Sequence, residues 1–249
     1  KSKLMILLSV LCLTLLTASG CTSNTKQTAQ TPTSNSPEKL RVAVSIVPQA
    51  TFVKAVGGEL VDVVTIIPPG ANPENYAPSP QTMEQLSQAK LYFAIGVPAE
   101  KSGILPRLKE INSQMKLVDL PSQVDKVYPA REMAPGEKDP HRWLSPKRVA
   151  EMVKIISAEL AAADPQHADS YQKNAQVYQA ELEKLNTEIA SSLQGLSGQS
   201  FIVYHPAMGY FADDYGLKMI ALEEEGKEAT AQQLQSVIDL AKKENIKVI

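Results

Sequence analysis

Two histidines stand at positions where a strand or loop leads into a helix. His141 lies in the stretch Asp-Pro-His-Arg-Trp-Leu-Ser-Pro, whose Ser145 and Pro146 are typical of a capped helix start. His205 follows a four-residue apolar strand and precedes Pro206. Ligands of open parallel sheets bind beyond the carboxyl ends of the strands, and neutral imidazole suits zinc and similar ions. The pair predicts a divalent-metal site, although either histidine alone could be an ordinary hydrogen-bonded side chain.

Acidic residues near these histidines are further candidates. Glu74 lies in the Pro/Gly/Asn-rich loop 68–78, where it could bind a metal directly or remain solvated, with water in its place. Asp139 could accept a hydrogen bond from the second ring nitrogen of a histidine ligand. The acidic run 223–225 follows a predicted strand, so it could line the site, or it could be a solvated turn. His167, at the start of a long helix, is interpreted as a surface residue.

The first half of the ordered chain alternates predicted strands with predicted helices. Strands are expected at 40–47, 60–67, 90–95 and 116–120, with helices at 52–56, 79–88 and 102–111. This alternation predicts βαβ units and a parallel sheet, hence an α/β fold. Residues 121–138 are polar and are predicted to be irregular.

The second half begins with two helices. An amphipathic helix is predicted at 146–163, and another of about 40 Å runs from Asp164-Pro165 to about Leu193. Strands are then expected at 201–204, 217–222 and, opening only, 246–249, with helices at 206–215 and 230–244. We therefore predict an N-terminal α/β lobe at 39–164, a linker helix at 165–194 and an incomplete C-terminal α/β lobe at 195–249, with a metal cleft between the lobes. We expect the natural protein to continue beyond Ile249.

The N-terminal residues are predicted to direct export. Residues 1–20 combine lysines, an apolar run too short to span a bilayer comfortably and a small-residue end, as in a signal peptide. The run Ala-Ser-Gly-Cys resembles a bacterial lipobox, which implies cleavage before Cys21 and lipidation of its sulfur. An ordinary cleaved signal with a free cysteine is the alternative. Residues 21–38 are rich in Ser, Thr, Asn, Gln and Pro, which predicts a disordered tether.

Composition excludes some partners and bonds. The chain carries 25 basic and 27 acidic side chains, and without Lys1 and Lys3 there are 23 basic ones. No basic stripe is present, so no nucleic-acid partner is expected. The other cysteine, Cys12, lies in the predicted signal, so the mature chain could form no internal disulfide. We expect a monomer.

The two histidine motifs together carry a family resemblance. Asp-Pro-His-x-Trp-Leu-Ser-Pro, a long helix and then Tyr-His-Pro-Ala-x-Gly-Tyr-Phe resemble the zinc/manganese-type substrate-binding lipoproteins of bacterial ABC importers. The resemblance covers 40–249 and implies that His141 and His205 are metal ligands. It further implies a Zn²⁺ cargo, with Mn²⁺ or Fe²⁺ as alternatives, an ABC permease as partner and an extracytoplasmic, lipid-anchored location.

The sequence departs from the family pattern at the first ligand. The family shows Pro-His-x-Tyr-x-Pro in its first loop, whereas this chain has Pro-Glu-Asn-Tyr-Ala-Pro, with Glu74 in the place of histidine. A histidine-rich stretch common in zinc members is absent from 125–138. The family's fourth ligand, an aspartate, is expected beyond Ile249.

The function predicted on these grounds is metal capture and delivery, without enzymatic activity. Two alternatives remain open, namely an exported metal-dependent hydrolase and an adhesin-like surface lipoprotein with a structural metal. The hydrolase is disfavoured because the chain has no His-Glu-x-x-His helix and no Gly-x-Ser-x-Gly turn. The adhesin is disfavoured because both histidines are predicted to face one cleft.

Overall fold

A computed structural model describes residues 39–223 and 228–248. The predicted signal peptide at 1–20, the tether at 21–38 with Cys21, and Glu224, Glu225 and Ile249 lie outside these residues. Within the described part of the chain, no helix is both long and apolar enough to cross a membrane.

Four parallel strands form the larger sheet, in the order β2-β1-β3-β4. They are β1 (Leu40–Val44), β2 (Val61–Thr65), β3 (Leu91–Ala94) and β4 (Lys116–Asp119). All four overlap the predicted strands. Every residue of β3 is buried, as expected for a parallel strand covered on both faces.

The first predicted strand is wrong at its end. β1 stops at Val44, and helix α1 (Val47–Gly57) begins well before the predicted helix at 52–56. Pro48 lies in the first turn of α1, where its fixed φ and missing N–H cost little. The side-chain oxygen of Gln49 accepts hydrogen bonds from the main-chain N–H groups of Ser45 and Ile46, at 2.9 and 3.2 Å. These hydrogen bonds fix the turn from β1 into α1, so the strand ends earlier than the apolar run at 40–47 predicts.

The crossovers on either side of β3 differ from each other. Helix α2 (Pro80–Ser87) is capped by Ser79, whose side chain accepts from Thr82 N at 3.1 Å. The helix predicted at 102–111 is instead three short turns: a π-helical turn at 100–104, a 3₁₀ turn at 105–107 and helix α3 (Leu108–Ile111). Pro106 explains the break, because proline removes a main-chain donor and crowds the preceding turn.

Residues 121–138 are more regular than predicted. Helix α4 (Leu120–Val124) is followed by an antiparallel hairpin of β5 (Glu132–Ala134) and β6 (Glu137–Lys138). Gly136 supports the turn with a φ of 83°, which glycine adopts without steric cost. The prediction of an irregular segment was wrong because these strands are very short and mostly exposed, so no apolar pattern marks them. The hairpin brings the chain to Asp139.

Two long helices follow. Helix α5 (Pro146–Ala163) is capped by Ser145, as predicted, and the 3₁₀ turn at 165–167 then leads into α6 (Ala168–Ser192). At 25 residues, α6 is about 37 Å long. It packs along α5 and α1 and buries Tyr171, Ala175 and Leu182. The lobe boundaries at 164 and 194 remain predictions.

The C-terminal residues build a second, smaller sheet. β7 (Ser200–Val203) and β8 (Lys218–Ala221) pair in parallel, with helix α7 (Gly209–Tyr215) between them in sequence and α8 (Ala231–Glu244) after them. The strand predicted at 246–249 is not formed at 246–248. Ile202 N nevertheless donates to Val248 O at 3.0 Å. This bond joins Val248 to β7 without forming a strand.

The larger sheet has a hydrophobic core on each face. One core joins the sheet to α1, α5 and α6, and the other joins it to α2 and the turns around α3. Phe93 and Ile156 are fully buried in the first core, and Tyr92 and Ile104 in the second. The predicted α/β class, with parallel sheets and one long helix, is thereby confirmed.

Candidate metal centre

His141 is fixed by the aspartate two residues before it. One carboxylate oxygen of Asp139 accepts the main-chain N–H of His141 at 2.9 Å and lies 2.8 Å from ring atom Nδ1. Because a carboxylate can only accept, Nδ1 carries the hydrogen and Nε2 keeps its lone pair. The imidazole of His141 is therefore oriented as a metal ligand through Nε2, as a partnered carboxylate commonly arranges.

Asp139 is itself held from several sides. Its side chain is fully buried, and Arg131 lies 3.4 Å from its second carboxylate oxygen. Its main-chain carbonyl accepts hydrogen bonds from the Tyr210 hydroxyl at 3.0 Å and from Arg142 at 2.7 Å. The ring of Trp143 lies 5.0 Å from that of His141, centroid to centroid, and supports it. His141 consequently has little freedom to turn.

His205 lies two residues after the carboxyl end of β7. Its side chain is 35% exposed. Ring atom Nδ1 lies 3.3 Å from a carboxylate oxygen of Glu223, which follows β8. Ring atom Nε2 faces the opposite way, towards His141 and Glu74. The two parallel strands thus bring a histidine and a carboxylate together at one edge of the small sheet.

The two histidines meet through the same ring atom. His141 Nε2 and His205 Nε2 are 3.1 Å apart. A carboxylate beside each Nδ1 leaves both Nε2 atoms directed at one point, where they can share one cation or, when one ring carries a hydrogen on Nε2, one N–H···N hydrogen bond. Two nitrogens bound tetrahedrally to one zinc ion at ordinary bond lengths would be about 3.3 Å apart. The observed separation is close to that value.

Glu74 approaches the same point from the loop at 68–78. Its main-chain N–H donates to the side chain of Asn72 at 2.9 Å, which holds the loop turn. Its carboxylate oxygen Oε1 lies 3.9 Å from His205 Nε2. A nitrogen and an oxygen bound tetrahedrally to one zinc ion would be about 3.4 Å apart, so Glu74 would have to move about 0.5 Å to complete the contact.

A cavity of about 730 Å³ opens beside these three residues. The wall opposite the histidines is formed by Pro73, the segment 96–98 and the hairpin residues Met133 and Glu137. The candidate site is therefore reachable from solvent. A metal ion could enter without unfolding of the surrounding elements.

Glu223 lies closer to the candidate site than the sequence predicted. The acidic run was more often expected to be a solvated turn, but the Glu223 side chain is only 13% exposed and contacts His205. Ligand atoms of Glu74, His205 and Glu223 lie within 4.8 Å of one another. The sequence showed only that Glu223 follows a predicted strand, and its place beside His205 depends on the parallel pairing of β7 with β8. His167, by contrast, lies away from this cluster and contacts Asp164 at 2.7 Å.

Comparison with known proteins identifies the family. Residues 42–249 match the family described as "Zinc-uptake complex component A periplasmic", which covers most of the chain. The chain belongs to this family. The family consists of solute-binding components of metal uptake systems, in agreement with the predicted resemblance.

Relatives in this family differ in the metal that their names give. A putative metal-binding protein of Chlamydia muridarum is 33% identical over 75% of this chain, and the chain spans 66% of that protein's length, just under two thirds. An iron ABC transporter substrate-binding lipoprotein, MtsA, of Streptococcus pyogenes serotype M1 is 29% identical over 90% of this chain and 73% of its own length.

A solved structure shares the fold. The crystal structure of a ZnuA protein matches with a TM-score of 0.77 and 41% sequence identity. The match covers 84% of this chain and 80% of that one. The similarity supports the parallel sheets and the long helix as the architecture of this family.

Proposed function

We propose that this protein is an extracytoplasmic solute-binding protein that captures a divalent transition metal ion, most readily Zn²⁺, and delivers it to an ABC permease. The ion is the cargo, held by His141 and His205 with Glu74 as a third ligand. The observation that carries the proposal is the 3.1 Å separation of the two Nε2 atoms, each with a carboxylate beside its Nδ1. That arrangement directs two imidazole nitrogens at a single point, as two ligands of one ion require.

The donor set favours zinc. Two imidazoles and one carboxylate match the ligands that zinc accepts in four-coordinate sites, whereas manganese prefers carboxylate and carbonyl oxygens. Fe²⁺ is the next candidate, since imidazole also suits iron and one relative is named for iron transport. Because the Glu74 carboxylate stands in place of a third imidazole, it reduces the preference for Zn²⁺ over Mn²⁺ and Fe²⁺.

Metal titration of the full-length protein tests the capture step. Dialysed protein should bind one Zn²⁺ per molecule with sub-micromolar affinity in calorimetry, and the double variant His141→Ala/His205→Ala should lose this binding. His167→Ala is a matched control, because His167 also contacts an aspartate but lies outside the cluster. Equal binding by the double variant and the control would refute the proposed ligands. Chelator-sensitive hydrolysis of an ester, peptide or phosphate would favour the alternative of a hydrolase.

Anchoring at Cys21 is a separate part of the proposal. Export followed by lipidation at Cys21 would hold the monomeric protein beside its permease, with residues 22–38 as a flexible connection. Cells that express the wild-type protein should incorporate labelled palmitate into it and retain it in the membrane fraction. Cys21→Ser should abolish both, and retention of the label would disprove lipidation at this residue.

A further inference from the structure

Glu223 has a place in the candidate centre that differs from that of the three ligands. Its carboxylate faces Nδ1 of His205, whereas His141 and Glu74 face Nε2 of the same ring. The two nitrogens of an imidazole direct their lone pairs or hydrogens away from each other. One metal ion therefore cannot occupy both edges of His205.

We infer that Glu223 is a positioning residue, which accepts the Nδ1–H of His205 and so holds its Nε2 lone pair toward the ion. The inference rests on the proposed function and adds a residue to it. The Nδ1 to carboxylate distance of 3.3 Å is long for a charged hydrogen bond, and a small rotation of either side chain shortens it. Apo sites commonly show such long contacts, which tighten when the ligand binds.

The main chain fixes Glu223 beside His205. Glu223 N donates to the carbonyl of Tyr204, the residue before His205, at 2.9 Å. Leu222 N donates to Val203 O, also at 2.9 Å, and continues the parallel pairing in which Val203 lies opposite Ala221. The contact between Glu223 and His205 is thus a consequence of sheet register. It does not depend on a flexible loop finding its partner.

His141 provides an internal comparison. Its Nδ1 contacts Asp139 at 2.8 Å, and that aspartate is fully buried, whereas Glu223 is 13% exposed. Each histidine therefore has a carboxylate of its own, at sequence separations of 2 and 18 residues. In both cases the carboxylate selects the tautomer that leaves Nε2 free. The His205 pair is the looser of the two, so its orientation depends more on the bound ion.

Direct coordination by Glu223 is the competing arrangement. Atoms of Glu74, His205 and Glu223 do lie within 4.8 Å of one another. An ion bound by Glu223 and by His205 through Nδ1 would, however, sit on the edge of the ring away from His141. That ion would leave unused the two Nε2 atoms that face each other at 3.1 Å.

Variants at position 223 separate the two arrangements. In the full-length protein, Glu223→Ala should weaken Zn²⁺ binding about 10- to 100-fold, and Glu223→Gln should recover part of the loss because its amide oxygen can still accept Nδ1–H. Glu137→Ala is the matched control, since Glu137 lines the same cavity and, among the described residues, contacts neither histidine. It should change affinity much less. Equal losses in Glu223→Ala and Glu137→Ala would overturn the inference.

Two spectroscopic readouts complete the test. In zinc-loaded wild-type protein, long-range ¹H–¹⁵N correlations should show His205 with its hydrogen on Nδ1, and a hydrogen on Nε2 would refute the inference without any variant. X-ray absorption should give the same number of nitrogen and oxygen neighbours in Glu223→Gln as in wild type. Loss of one oxygen neighbour would identify Glu223 as a direct ligand and refute its positioning role. A wild-type protein that binds no zinc would instead refute the proposed function itself.

Discussion

The hydroxyl group of Tyr210 donates a hydrogen bond to the main-chain carbonyl of Asp139 at 3.0 Å, across 71 positions of sequence. The hydroxyl oxygen of Tyr210 also accepts a hydrogen bond from Arg131 N at 3.1 Å. Tyr210 is fully buried, and the guanidinium groups of Arg142 and Arg148 lie over its ring at 5.5 and 4.4 Å. Tyr210 thus joins helix α7, which follows His205, to the loop that carries His141.

Removal of this hydroxyl should loosen the centre. We expect Tyr210→Phe to lower the free energy of unfolding by about 1–3 kcal/mol, because the partly buried N–H of Arg131 loses its acceptor. Zn²⁺ affinity should also fall, since the two histidines are less firmly held together. Urea unfolding and calorimetric titration measure the two effects. Tyr204→Phe is the control, because Tyr204 is 58% exposed, and an equal effect in both variants would contradict this role.

The position of Tyr210 illustrates what sequence could predict and what it could not. The strands, the capped helix at Pro146 and the long helix α6 follow from local patterns of apolar residues and helix caps. A buried hydroxyl that joins residues 71 positions apart has no local pattern. The hairpin of β5 and β6 escaped prediction for a related reason, since its strands are short and mostly exposed and pair only with each other.

The candidate site was predictable to a similar degree. His141, His205 and Glu74 were predicted as metal ligands from their positions in the chain and from a family resemblance. The structure brings all three to one cavity. The contact between Glu223 and His205 needed the pairing of β7 with β8, because neighbouring strand ends come together only when the register is known. The roles of these residues as ligands remain predictions until a metal is bound.

The glutamate in the first loop should control metal preference. We expect Glu74→His to increase the ratio of Zn²⁺ to Mn²⁺ affinity, because imidazole is a better ligand for zinc than for manganese. Glu74→Ala should weaken the binding of both ions. Competition titrations with the two metals measure the ratio. Glu84→His, on an exposed position of α2, should leave the ratio unchanged, and a similar change in both histidine variants would rule out Glu74 as a ligand.

Asp164, between α5 and α6, should contribute to stability at neutral pH and lose that contribution in acid. Burial alone would raise the pKa of this carboxyl, but hydrogen bonds from Tyr171 and His167 outweigh it, so the pKa lies below its ordinary value of 3.8. The folded state therefore favours the ionised form. The resulting stabilisation is complete above pH 3.8 and disappears as the pH falls through the lowered pKa.

Substitution of Asp164 by asparagine tests this linkage. Wild type should be more stable than Asp164→Asn at pH 7, and the difference should shrink below about pH 4. Urea unfolding at a series of pH values measures the difference. Asp239→Asn, at an exposed position of α8, should show a small difference that does not change with pH. A constant difference for Asp164→Asn across the acid range would disprove the linkage.

The contribution of Glu100 to stability should decrease as the pH rises, whereas that of Asp164 decreases as the pH falls. Its side chain is fully buried beside β3, and its carboxyl accepts hydrogen bonds from the Tyr92 hydroxyl and from Ile95 N, both at 3.0 Å, as well as from Ser45 and Gly96. Burial raises the pKa of this carboxyl more than these donors lower it. The folded protein consequently binds this proton more tightly than the unfolded chain does.

The direction of the pH dependence follows from the raised pKa of Glu100. The stabilisation from Glu100 is fully present below the ordinary pKa of 4.5 and is lost as the pH rises from there towards the raised value. Glu100→Gln cannot titrate, and its amide N–H₂ must face one of the two main-chain donors at Ile95 and Gly96. We therefore expect Glu100→Gln to be less stable than wild type at pH 4.5, with a gap that narrows as the pH rises.

The measurement is the difference in free energy of unfolding between wild type and Glu100→Gln at several pH values from 4.5 to about 8. Taking the difference removes the contributions of the histidines and other groups that titrate in both proteins. Glu110→Gln, at an exposed position of α3, should give no such pH dependence. A gap that stays constant or widens with pH would mean that Glu100 is held ionised by its four donors, since their hydrogen bonds would then outweigh the cost of burying the charge.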